Sequence, residues 1–225
     1  LFFREAGLSF VQIGFLYSIR QIAINLFEIP SGMIADLFGR RNALLFSFVS
    51  YIASFLLFYI SDRYLLFLIS MFVFGLGEAF RSGTHKAMIL SYLEQNDMLQ
   101  HRTAFYGHTR SWSQFGSAIS SLAAMLIVFF EQNYRSVFLY TIIPYVLDAL
   151  VVATYPDSLN RSSAGEPRHL LFSKITDNFR TVWTKFLRLL RDGAPLRATI
   201  SAALYIGFFK STKDYLQPVL KLTAL

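Results

Sequence analysis

The sequence predicts an all-α, polytopic helical membrane protein, and two observations carry this fold class. Hydrophobic residues make up 54% of the 225 residues and charged residues only 16%, whereas about a quarter of an average soluble domain is charged. The apolar residues also fall in blocks of about twenty, which is the length of α-helix that crosses a bilayer. This small number of charged residues could not cover a water-facing surface, which excludes a soluble globular domain.

Six membrane-spanning helices can be drawn from these blocks. Short polar connections join the first five, so consecutive helices are predicted to run antiparallel as neighbours in a bundle. The six predicted spans cover residues 9–35, 42–60, 64–90, 104–130, 137–155 and 196–220. The chain opens Leu-Phe-Phe-Arg-Glu without an initiator Met and stops shortly after the last span, so we expect a fragment of a longer protein.

One long polar stretch divides the predicted chain into three parts. Residues 1–155 form an N-terminal transmembrane bundle, residues 156–195 a central loop, and residues 196–225 the first helix of a second bundle. Within the loop, apolar residues recur every three or four positions from Phe172 to Leu189 with basic residues between them, which predicts an amphipathic helix. This helix either lies on the anionic inner leaflet and bridges two halves, or packs against the underside of the bundle.

The distribution of positive charge predicts the orientation of the bundle. The net charge is +7, but most basic residues lie in loops between the apolar blocks, so we expect no nucleic-acid partner. If the loop at residues 36–41 is cytoplasmic, that side carries eleven loop Lys and Arg residues, against Arg4, Arg63 and Arg135 outside. This positive-inside bias predicts a multi-pass protein of the cell membrane with a cytoplasmic central loop.

The chain contains no Cys, which excludes disulfides, thiol chemistry and Cys-ligated metal sites. Its four His residues show no metal-ligand spacing. We therefore predict no catalytic residue, no cofactor and no metal site.

Several spans carry charged side chains, which are unfavourable in hydrocarbon and call for a partner or a water-filled path. Those on the first and third spans share a face with other polar residues, and those on the last span lie one turn apart. The candidates for a solute or ion path are Glu28, Glu78, Arg81, His85, Lys210 and Asp214. Asp148 stands alone in the fifth span.

A structural interpretation stays open beside the functional one for each charged residue. The acid–base pairs on the third and last spans could be intrahelical ion pairs that only neutralise each other. Lys86 and Arg110 could extend their side chains to the cytoplasmic interface. The polar stripes on neighbouring spans nevertheless indicate a shared hydrated interior.

The connection between the first two spans carries the most specific pattern in the chain. Residues 32–41 read Gly-Met-Ile-Ala-Asp-Leu-Phe-Gly-Arg-Arg, and a polar, doubly basic turn between two apolar blocks belongs at the membrane interface. The spacing Gly-x-x-x-Asp-x-x-Gly-Arg-Arg resembles the signature loop between the second and third helices of major facilitator superfamily transporters. Residues 75–83 resemble the fourth helix of that family, and residues 214–218 resemble its seventh.

This resemblance covers essentially the whole chain and implies a mechanism. The six spans would be helices two to seven, and two halves would rock around a site at the membrane midplane. The signature loop would act as a cytoplasmic latch, in which a carboxylate faces a helix N-terminus of the other half. The arginines would bind acidic groups or helix C-termini, and the glycines would allow close approach and a tight turn. The latch residues are Gly32, Asp36, Gly39, Arg40 and Arg41.

The chain also departs from the family pattern. The acidic residue often found at the cytoplasmic end of the fourth helix is Ser91 here, and the Gly-Pro pattern of many proton-coupled drug exporters is absent from the fifth. We expect a secondary transporter of a small polar or charged solute, with protons as a candidate coupling ion through Glu28, Glu78 or Asp214. The alternatives are a non-transporting sensor or scaffold and, less favoured, a membrane-embedded enzyme. We expect the present chain not to transport by itself.

Overall fold

The computed structural model describes residues 2–160, together with residues 184, 197, 200–202, 204–209 and 212. Contacts divide the chain into two compact units, residues 2–164 and 165–225. No strand occurs among the described residues, so the predicted all-α class is confirmed. The helices of the first unit are α1 (Phe2–Glu5), α2 (Phe10–Phe38), α3 (Arg40–Ile60), α4 (Tyr64–Gln95), α5 (Arg102–Glu131) and α6 (Arg135–Ala153), with 3₁₀-helices at Leu99–His101 and Asp157–Leu159.

Five helices of the described part, α2 to α6, are long and apolar enough to cross a membrane. Each coincides with one of the first five predicted spans, and the ends differ by no more than five residues. The sixth predicted span lies largely outside the described residues, of which 200–202 and 204–209 are helical. The amphipathic helix predicted in the central loop also lies outside the described residues.

Local sequence accounts for where these helices begin and end. A capping box at Ser9 starts α2, which satisfies backbone N–H groups of the first turn. α4 continues five residues past its predicted end and stops where Asp97 adopts a left-handed conformation, with φ of 54°. The Met98 N–H then donates to the Leu93 carbonyl at 2.8 Å, a hydrogen bond that commonly closes helix C-termini.

A single non-helical residue, Gly39, separates α2 from α3. Its φ of 96° lies in a region that residues with a Cβ rarely adopt, and a Cβ there would collide with the Asn160 side chain. The connection is therefore tighter than the five-residue link predicted over residues 37–41. Asp36 lies in the last turns of α2, and Arg40 and Arg41 begin α3.

α4 is the central helix of the bundle. It packs along both α2 and α3, while α3 also packs along α6 and α5 makes its main helix contact with α6. Two glycines allow the close approach. A Cβ on Gly75 would lie 2.7 Å from Cβ of Ala23 in α2, and a Cβ on Gly77 would lie 3.0 Å from the Ser47 carbonyl oxygen in α3.

An aromatic cluster closes the end of the bundle opposite Gly39. The short helix α1 places Phe2 and Phe3 against the ends of α3, α4 and α6. The Phe2 and Phe138 rings lie 4.8 Å apart, and Phe58 lies 5.0 Å from Phe138. Because aromatic pairs at these distances are favourable, this cluster stabilises the packing of three helices at one end of the bundle.

Candidate functional site

The signature turn, residues 32–41, is tied to α4 by Arg40. This guanidinium donates to the Ala87 carbonyl at 3.1 Å and to the Ser91 hydroxyl. It also pairs with the Asp36 carboxylate one turn earlier, at 3.4 Å. The hydroxyl of Ser91 thus contacts Arg40 at the position where the family pattern often has an acid.

The second arginine of the turn binds just beyond the C-terminus of α6. Arg41 donates from Nη1 to the Tyr155 carbonyl at 2.9 Å, and its backbone N–H donates to the Asn160 side chain at 3.0 Å. A cation near a helix C-terminus is favourable because of the helix dipole. The turn therefore connects α2, α3, α4 and the residues after α6.

The other side of the signature turn is open within the described residues. The Asp36 side chain is 59% exposed, and a Cβ built on Gly32 would meet nothing within 4 Å. The close approach expected at Gly32 is therefore not made to any described residue. Exposed carboxylate and open glycine lie close together, since they are one helical turn apart in α2.

Midway along α4, three side chains form a closed ring of hydrogen bonds that we call the central cluster: Tyr51, Glu78 and Arg81. The Tyr51 hydroxyl, from α3, donates to the Glu78 carboxylate and accepts from Arg81 Nε at 3.1 Å. Arg81 Nη2 donates to Glu78 at 2.7 Å. The intrahelical ion pair considered from the sequence is thus present, and it is bound to a second helix.

Tyr51 is the member of the central cluster that the sequence analysis missed. The residue is 1% exposed and lies within an apolar predicted span. From the sequence its ring is therefore interpreted as part of the hydrophobic core, and nothing points to a role for its hydroxyl. A signal was available, because α3 carries polar residues at steps of three and four. These are Ser47, Ser50, Tyr51 and Ser54, and such a stripe indicates a face that contacts another helix rather than lipid.

A cavity of about 670 Å³, the main cavity, opens beside the central cluster between α3, α4, α5 and α6. Its polar lining includes Arg81 and His85 of α4, Ser113 and Ser117 of α5, and Asp148 of α6. Asp148, which stands alone in the sequence, therefore shares a cavity with two nitrogen-bearing side chains. The main cavity brings together groups from three helices that are separated along the chain.

A second cavity of about 280 Å³, the basic cavity, lies between α4 and α5. Arg81 and His85 line both cavities. The basic cavity adds Lys86 and Arg110, and Glu78 is the one carboxylate among its lining residues in the described part of the chain.

The remaining predicted path residues are not part of this group. Glu28 is exposed on α2 and lines neither cavity. Lys210 and Asp214 lie outside the described residues. Within the described ranges, no three His, Asp or Glu side chains come together as a metal site.

Comparison with known families decides what kind of bundle this is. The sequence profile of the Major Facilitator Superfamily matches residues 1–223 of the chain. The chain belongs to the major facilitator superfamily. No curated protein matches it, and no solved structure does. As a member of this superfamily, the chain is an integral, multi-pass protein of a membrane-transporter family, and α2 to α6 are the helices of its described part that are long and apolar enough to cross the membrane.

Proposed function

We propose that this superfamily protein is a secondary transporter that moves a small polar or charged solute across the membrane by alternating access. The main cavity carries the proposal. Charged and hydroxyl side chains from α4, α5 and α6 line about 670 Å³ inside a bundle of apolar helices. Ionisable groups at membrane depth mark solute or ion pathways, because leaving them in hydrocarbon is unfavourable.

The depth of the central cluster supports this interpretation. α4 has 32 residues, which at 1.5 Å per residue is about 48 Å. Glu78 and Arg81 follow the first residue of α4 by about 21 and 26 Å on the same scale, so they lie near the helix midpoint. Transporters of this architecture bind solute near the bilayer midplane. We retain Glu28, Lys210 and Asp214 as further path residues of the proposal.

We further propose that the signature turn is a conformational latch. Arg40 and Arg41 bind within their own bundle, so they hold the turn in place. The Asp36 carboxylate, which is 59% exposed although it pairs with Arg40 at 3.4 Å, is the group that would bind the other half of the protein, at the positive N-terminal end of a helix. Gly32 and Gly39 complete the latch, the first by leaving room beside Asp36 and the second by its positive φ.

Solute uptake tests the transport proposal. The full-length protein in proteoliposomes is given a broad panel of small solutes, with and without a proton gradient. Accumulation driven by the gradient supports proton-coupled transport and directs mutation to Glu28, Glu78 and Asp214. Flux that ignores the gradient supports a facilitator. No flux for any solute rejects transport and favours the sensor or scaffold alternative.

The latch is tested by Asp36→Asn in the full-length protein. Losing the carboxylate charge weakens the contact that closes the cytoplasmic side, so we expect the population to shift toward inward-open. The measurement is alkylation of single cysteines placed on either side of the cavity. Asp97→Asn is the matched control, because it removes an exposed acid outside the turn at a left-handed position that Asn tolerates. Identical alkylation in both variants would reject the latch.

A further inference from the structure

We propose that the basic cavity is an oxyanion subsite, which binds a carboxylate or phosphate group of the transported solute. This inference rests on the proposed transport function and narrows it from any polar solute to an anionic one. Charge balance, depth and hydrogen-bonding capacity each support it.

The charges that line the basic cavity do not cancel. Arg81 and Glu78 neutralise each other, since their side chains pair at 2.7 Å. Lys86 and Arg110 also line the cavity, and neither has an ion-pair or hydrogen-bond partner among the described residues. The described lining therefore carries two uncompensated positive charges, even when His85 is neutral.

The two cations lie at similar distances along their helices, and both residues are exposed within the described part of the chain. Lys86 is nine residues from the end of α4 and Arg110 eight residues from the start of α5, which places them about 14 and 12 Å along their helices from the same end of the bundle. Extension toward the interface accounts for either side chain alone. Two cations from different helices that line one small cavity repel each other, and an anion bound between them would compensate both charges.

The cavity also offers hydrogen-bond donors of the kinds that bind an oxyanion. Arg110 presents a planar fork of N–H groups that matches carboxylate and phosphate, and Lys86 adds a compact charge. The hydroxyls of Tyr106 and Ser113 line the same space and make no hydrogen bond to any described residue. A cationic solute would be repelled here, and an uncharged one would leave both charges uncompensated.

The first test measures the electrostatic potential of the cavity without requiring transport. Ser113→Cys is introduced into full-length protein that has no other cysteine. It is modified by a sulfonate-bearing and by a trimethylammonium-bearing methanethiosulfonate, with each rate normalised to that of a free thiol. We expect the anionic reagent to be favoured about tenfold, since charged clefts change encounter rates by at least that much.

Charge-removing substitutions then test whether the preference for the anionic reagent comes from Lys86 and Arg110. Lys86→Gln and Arg110→Gln should each reduce the rate ratio, and the double variant should bring it near one. Arg102→Gln is the matched control, because Arg102 begins the same helix as Arg110 and lines neither cavity, so it should leave the ratio unchanged. A preference for the cationic reagent, or a ratio unmoved by the single and double variants, overturns the proposal.

Protection of Ser113→Cys identifies the ligand chemistry. Succinate and inorganic phosphate are compared with succinamide and 1,4-diaminobutane as neutral and cationic counterparts. Slower modification with succinate or phosphate only is expected, and the better protector tells carboxylate from phosphate. The subsite proposal is overturned if neither anion slows the modification, or if the diamine slows it. Protection by an anion without flux of any solute would support the subsite and reject transport. Flux of a cationic solute, with a ratio of anionic to cationic modification rates near one, would support transport and reject the subsite.

Discussion

A single hydroxyl, that of Tyr51, holds two charged side chains of α4 against α3. It donates to Glu78 and accepts from Arg81, while its ring packs against Phe74 and Tyr145 at centroid distances of 5.0 and 4.9 Å. The ring contacts need only an aromatic residue, whereas the position of the two charges needs the oxygen. Removing the oxygen therefore separates the two contributions.

Tyr51→Phe should lower the free energy of unfolding by about 1 kcal/mol, because two charged groups lose a buried hydrogen-bond partner and remain partly solvated. Denaturant unfolding of the detergent-solubilised protein measures the change. Tyr145→Phe is the control, since this neighbouring ring is retained and its hydroxyl bonds to no described residue. Equal losses in the two variants would show that the hydroxyl of Tyr51 contributes nothing specific.

At the scale of elements, the stability of the bundle depends on the close approach of α2 to α4. Gly75→Ala places a Cβ 2.7 Å from Cβ of Ala23 and 2.8 Å from the Arg20 carbonyl oxygen. Because a backbone atom cannot rotate away, we expect a loss of about 1–3 kcal/mol, as for other overpacked cores. Thermal unfolding measures it.

Gly83→Ala provides the control on the same helix. A Cβ there meets nothing within 4 Å, so this variant should be neutral or gain up to about 1 kcal/mol from higher helix propensity. If Gly75→Ala proved as stable as Gly83→Ala, the packing of α2 against α4 would differ from the one described above.

A second element-scale contact joins the α3–α4 connection to the start of α6. Asp62 pairs with Arg135, and the hydrogen bond and positive charge of Arg135 lower the pKa of the Asp62 carboxyl. A lowered folded-state pKa means that the pair stabilises the protein above the ordinary carboxyl pKa. That contribution is lost as the pH falls through the lowered value.

Asp62→Asn should therefore reduce the unfolding temperature slightly at pH 7, as expected for an exposed pair. The difference from the unmodified protein should vanish under acidic conditions that protonate Asp62. Glu94→Gln, which removes an exposed acid without an ion pair among the described residues, should show no such pH-dependent difference. A deficit that persisted below the pKa of Asp62 would have to come from something other than the ion pair.

At the scale of the whole molecule, helix order places the connections alternately at the two ends of the bundle. Gly39 and residues 96–98 share one end, and residues 61–63 lie at the other. The excess of Lys and Arg assigns the Gly39 end to the cytoplasm. This orientation remains a prediction.

Single-cysteine labelling tests the orientation in intact cells. A membrane-impermeant maleimide should label Arg63→Cys directly, because that position is predicted to lie outside, and Asn96→Cys only after the cells are permeabilised. Both native residues are exposed, so burial does not confound the comparison. The reverse labelling pattern would invert the assigned topology, and with it the cytoplasmic location of the proposed latch.

The features that could be predicted are those encoded over short distances in the chain. Hydropathy over about twenty residues located α2 to α6 within a few residues. All five predicted spans are confirmed as long apolar helices. Hydropathy could predict them because the thickness of the bilayer sets the length of an apolar helix that crosses it. Glu78 and Arg81 are neighbours by helical spacing, so their pair could also be anticipated. The family was recognised from the spacing of residues 32–41 and is confirmed by the match over residues 1–223.

Tertiary structure decided what lies next to these local features. Tyr51 is 27 residues from Glu78, and Arg41 binds a carbonyl 114 residues away. Such contacts depend on the rotation and spacing of whole helices, which hydropathy does not specify, since many rotations bury similar apolar area. The sequence by itself thus determined the membrane fold, the spans and the signature turn. Only helix packing could place Tyr51 in the central cluster, Asp148 in the main cavity, and Lys86 and Arg110 around the same basic cavity.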